Sequence, residues 1–223
     1  MKRSLILFTL MLALTACSNN LPFLPGNRTP TLVNSLTYDA PASLTIKTGT
    51  ILPGTTLGYN GKSATGAANL TIAGQLAPKQ VADAVDWQGM PVPNVNIKLN
   101  MRVATFDEQA ITLVGTARVE ITDIKLQPGG TPGTALLEFS SPVTFSLDRN
   151  ELMPGSMLAY KGAAADGAEF LGVEGYPFRK QFDSLQYIGR VNPKVFLKFD
   201  LRVLKFDANS TTLGGTVGIR IEQ

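Results

Sequence analysis

The stretch VNIKLNMRVATFDEQAITLVGTARVEI, Val95 to Ile121, is written twice in this chain; its second copy runs from Val195 to Ile221 at an offset of 100. The copies share 11 of 27 residues: Val95/Val195, Lys98/Lys198, Arg102/Arg202, Val103/Val203, Phe106/Phe206, Asp107/Asp207, Thr112/Thr212, Leu113/Leu213, Gly115/Gly215, Thr116/Thr216 and Ile121/Ile221. Val95, Ile97, Leu99, Met101 and Val103 alternate with polar neighbours that include Lys98, Asn100 and Arg102. A period of two is that of a half-buried strand, since successive side chains point to opposite faces. Asp107-Glu108-Gln109-Ala110 then turns the chain into a second alternating run, so each copy predicts a long β-hairpin.

The likeness continues upstream at an offset of 101, through Leu36/Leu137, Pro41/Pro142, Pro53/Pro154, Gly54/Gly155, Leu57/Leu158 and Tyr59/Tyr160. By Asp83/Asp183 and Trp87/Tyr187 the offset is 100. The unit therefore spans residues 36–122 and again 137–223. Alternation at Ser43 to Lys47 and Thr144 to Asp148, punctuated by Pro-Gly pairs and small-residue loops, predicts roughly six short strands per unit. The segment APKQVADAV, Ala77 to Val85, fits a single helical turn in the first copy only. Residues 123–136, with Pro-Gly-Gly and Pro-Gly, read as a linker. The expected fold is all-β, a tandem duplication of a roughly six-stranded antiparallel barrel or sandwich unit. The alternative is one larger pseudo-twofold β-barrel.

Hydrophobic residues make up 44% of the 223 positions, enough for a packed core. At the amino terminus, Lys2 and Arg3 precede the apolar run Ser4 to Leu14, which is too short to span a bilayer as a helix. Leu14-Thr15-Ala16-Cys17 follows, and this stretch resembles the lipobox of bacterial lipoproteins. The resemblance implies a signal peptide over residues 1–16, cleavage before Cys17, and acylation of that cysteine. Residues 17–35, rich in Pro, Asn and Gly, then serve as the lipidated end and tether. Ser18 stands where such lipoproteins carry Asp for inner-membrane retention, which points to the outer membrane. Buried acyl chains contribute about 0.8 kcal/mol per methylene, so the resemblance implies a bilayer as the partner of the amino terminus. Without Lys2 and Arg3 the 20 basic residues become 18 against 17 acidic, a net charge of +1 that argues against nucleic acid as a partner.

Side chains suited to catalysis are scarce. The chain has no histidine, the single cysteine is assigned to lipid, and no nucleophile-elbow or Ser-x-x-Lys pattern occurs after it. Asp107 and Asp207 suit turn formation, as Asp83 and Asp183 suit capping. The glycine-rich loops at 61–66 and 162–167 lack the Lys-Ser/Thr of a nucleotide cradle. No metal site and no cofactor is expected, and the expected protein is not an enzyme. Two candidate surfaces remain. Lys98, Arg102, Lys198 and Arg202 form a polar strand face. Tyr176, Phe178, Arg179 and Lys180 place aromatics beside cations where the copies differ most, a composition suited to partner binding. These features predict a lipid-anchored envelope protein with a structural or assembly role, binding another envelope protein. The alternative is a carrier whose β-units keep an open interior for an apolar ligand such as lipid or pigment.

Overall fold

The structure, a computed structural model, describes residues 34–223. The lipobox, Cys17 and nearly all of the tether lie outside the described residues. The first half contains β1 (Ser35–Lys47), β2 (Thr50–Ile51), β3 (Leu57–Lys62), β4 (Ala68–Ile72), β5 (Gln75–Lys79), β6 (Ala84–Val92), β7 (Val95–Phe106) and β8 (Ala110–Thr122). The second contains β9 (Gln127–Pro128), β10 (Ala135–Asp148), β11 (Ala159–Ala164), β12 (Gly167–Leu171), β13 (Phe178–Arg179), β14 (Ser184–Asn192), β15 (Val195–Phe206) and β16 (Ser210–Glu222). Among the described residues the fold is all-β and sandwich-like, and no sheet closes into a barrel. Each half pairs a long-stranded sheet, β1-β8-β7-β6 or β10-β16-β15-β14-β9, with a shorter one, β2-β3-β4-β5 or β11-β12-β13.

Alternation decides which face each strand buries. In β7, Val95, Ile97, Leu99, Met101 and Val103 are buried, while Lys98, Asn100 and Arg102 are exposed. The hairpin turns form as their aspartates require. Asp107 Oδ1 accepts from the backbone N–H of Gln109 (2.7 Å) and Ala110 (2.9 Å), and Asp207 Oδ1 does the same for Asn209 and Ser210. These bonds favour the charged carboxylate and hold both aspartates below their ordinary pKa. A Cβ on Gly115 or Gly215 would lie 2.1 Å from the carbonyl oxygen of Asn100 or Asp200, so the pairing geometry there admits only glycine.

Several expectations need correction. The APKQVADAV segment forms no helical turn. Its first residues complete β5, whose pairing with β4 satisfies their backbone, and Pro78 is tolerated because β5 is an edge strand. The linker is not a bare tether either. Gln127 and Pro128 pair with Arg190 and Gly189, extending the second long sheet by one short strand. The strands at Ser43 and Thr144 are longer than the alternation suggested, because β1 and β10 each continue toward the other half.

That continuation joins the halves. Both strands are sheet edges, and they meet where the Ser141 hydroxyl donates to the Asp39 carbonyl at 2.7 Å. Pro41 and Pro142 flank the crossing, where a residue without an N–H blocks ladder pairing between two exposed edges. Beyond it the contacts are reciprocal. The Pro154-Gly155 turn of the second half abuts Leu36 and Tyr38 of β1, and the Pro53-Gly54 turn of the first abuts Leu136 of β10. The buried apolar side chains accordingly form one continuous cluster running through both halves.

Candidate functional site

The polar faces of the two long sheets are not equivalent. On the first, Asn96, Lys98, Arg118 and Glu120 project outward, and Arg118 pairs with Asp39 at 3.5 Å. On the second, the corresponding residues are Phe196, Lys198, Gly218 and Arg220. Where the first face carries an arginine, the second has no side chain at all, and where the first carries an asparagine the second has a buried phenylalanine. The result is a groove of about 430 Å³ floored by Phe196, Lys198 and Gly218, with Pro41–Leu44 of β1 as one wall and Pro132 of the linker among the residues closing it.

Each wall has a physical cause. The Glu222 carboxylate holds the linker by accepting from the Gly133 N–H (2.6 Å) and from Arg190. Burial raises the Glu222 pKa, but the Arg190 and Gly133 hydrogen bonds outweigh it and the net shift is downward. Arg190 also donates to the Thr131 carbonyl and lies 5.7 Å over the Phe196 ring, a cation–π distance. The polar groups around the groove are satisfied among themselves: Arg220 pairs with Glu138, and Lys198 with Asp200 at 3.4 Å.

The candidate residues separate into different roles. Lys98 and Lys198 are exposed on their sheet faces, and Lys198 reaches the groove. Arg102 and Arg202 instead donate to the carbonyls of Ala82 (2.8 Å) and Phe182 (3.0 Å), both residues with positive φ. Their chemistry is that of turn clamps. The Tyr176–Lys180 loop does not line the groove. Tyr176 is 61% exposed and its ring packs 5.3 Å from Phe178. Arg179 is consumed by the loop itself, donating to the carbonyls of Tyr176, Phe178 and Ser184. Lys180 is exposed and its backbone N–H is capped by Asp183, as Gln80 is by Asp83. This loop borders a shallow crevice with Asp166 and Ser184.

Other singled-out positions are structural. Tyr59 and Tyr160 are fully buried, and each hydroxyl donates to the carbonyl of the hairpin aspartate, Asp107 or Asp207. Tyr187 is buried, whereas Trp87 is half-buried with its Nε1–H donating to the Thr56 hydroxyl at 3.0 Å. Among the described residues no three His, Cys, Asp or Glu side chains gather as a metal site would require. Sequence reading missed Phe196, Gly218 and Pro132. The signal was present: Phe196 and Gly218 interrupt the polar register of the repeat at adjacent positions on one face. No protein-family model, no curated protein and no solved structure matches the chain.

Proposed function

We propose that this chain is a lipid-anchored cell-envelope protein, held on the outer membrane through Cys17, with a non-enzymatic structural or assembly role exerted by binding another envelope protein. The observation that carries the binding role is the groove between β1 and the outer face of the second long sheet. It is a departure from the symmetry of the halves that packing does not require. The alternative, a carrier of apolar ligand, needs room inside a sandwich. Tyr59, Leu57, Leu70, Ile97, Leu99 and Met101 fill the first interior, and Tyr160, Phe170 and Phe199 fill the second, each no more than 1% exposed. Such filling favours an external site.

The test is made on the full chain in its own bacterial host. A photo-crosslinking amino acid replaces Ser140 at the groove, and the products are identified by mass spectrometry. The expected result is one recurring envelope-protein neighbour, with the chain in the membrane fraction and Cys17→Ser releasing it. A groove that crosslinks to nothing recurrent, or a Cys17→Ser chain that stays with the membrane, sinks the reading.

A further inference from the structure

We propose that the groove accepts an extended, uncharged peptide segment of the partner, which adds as a strand to the open edge of β1 over Pro41–Thr45 and lays an apolar side chain over Gly218 and Phe196. This deepens the reading above by naming the form in which the partner is recognised at the same groove.

Three observations converge. The first concerns backbone groups. β1 pairs with β8 on one side only. Thr48 N–H donates to Gln109 on the β8 side, while the Asp39 carbonyl faces the other way and accepts from Ser141. By the period of two, the N–H and C=O groups of Ser43 and Thr45 also face away from β8, on the side where β1 pairs with no strand among the described residues. An edge with unpaired groups in this direction is a template for strand addition, in which main-chain bonds supply affinity and side-chain pockets supply specificity.

The second concerns Gly218. Its φ is not in the left-handed region, and a Cβ there would meet nothing nearer than the Lys198 carbonyl oxygen at 3.7 Å. Neither backbone nor packing requires glycine, in contrast to Gly215 three residues earlier. The effect of the missing side chain is to open the floor beside β1, where the first half places Arg118. The third concerns charge. Arg220 and Lys198 are already paired with Glu138 and Asp200, so the site offers backbone bonds and apolar surface to a segment without charge of its own.

The experiment selects binders from a displayed library of linear peptides against the full chain in detergent, then measures the affinity of the synthesised peptides. Gly218→Arg, which copies the first half, and Ser43→Pro, which removes an N–H on the side of β1 that pairs with no strand, are each expected to weaken binding by about tenfold or more. Thr144→Pro, the equivalent change on β10, leaves affinity unchanged. Methylating the peptide amides one at a time abolishes binding at alternate positions only, as a strand ladder demands. A library that yields no binder, affinities indifferent to Gly218→Arg, or a methylation profile without alternation overturns the proposal. If Ser43→Pro does not fold, Gly218→Arg and the methylation profile still decide. An envelope neighbour crosslinked away from this groove leaves the function standing and removes this inference; peptide binding without any envelope neighbour does the reverse.

Discussion

At the residue scale, two buried tyrosines are expected to respond to the same substitution with opposite signs. Tyr59 donates its hydroxyl to the Asp107 carbonyl, so Tyr59→Phe should cost about 0.5–1.5 kcal/mol, the usual net value of one hydrogen bond. Tyr38 is 6% exposed and its hydroxyl has no partner among the described residues, and burial pushes its pKa well up. Tyr38→Phe should therefore raise stability, by up to about 1–3 kcal/mol, since a desolvated group without a bond is removed. Urea unfolding of both variants checks the pair. Glycines give a second contrast. Gly215→Ala drives a Cβ against the Asp200 carbonyl and should cost about 1–3 kcal/mol or more, whereas Gly218→Ala should stay within about 0.5 kcal/mol of the parent.

At the scale of the element, the long hairpins β7-β8 and β15-β16 are closed by aspartates whose folded-state pKa is depressed below the ordinary 3.8 by backbone N–H donors. A depressed carboxylate stabilises the fold above the unfolded pKa, and that contribution disappears as pH falls through the folded pKa. Stability should accordingly decline below the ordinary Asp range. Asp107→Asn with Asp207→Asn should flatten this acid limb, as read by thermal unfolding across a pH series. The loss is confined to acid, because both depressed carboxylates protonate only below the ordinary Asp range.

At the scale of the whole molecule, the shared core sets the cooperativity. Leu36 belongs to β1 but packs against Gly155 of the second half. Leu36→Ala should cost about 2–5 kcal/mol. Hydrogen exchange should show the loss of protection in β15 as well as in β8, because one cluster holds both halves. Protection lost in the first half alone would mean that the halves unfold independently.

The sequence by itself determined the all-β class, the duplicated hairpin and its Asp turns. These follow from alternation and local turn chemistry, which act between residues close in the chain. The paired Arg102 and Arg202 were legible as equivalent, though not as clamps, because the carbonyls they bind lie 20 residues upstream. Phe196 and Gly218 were visible as breaks in the repeat, but a break acquires meaning only when something stands opposite it. The tertiary structure alone decided that β1 and β10 cross at Asp39 and Ser141, that each half packs on the other's first long strand, and that Pro41–Leu44 become the wall of a groove. Those contacts join residues about a hundred positions apart, and burial of apolar surface between sheets selects them without leaving any local periodicity to read.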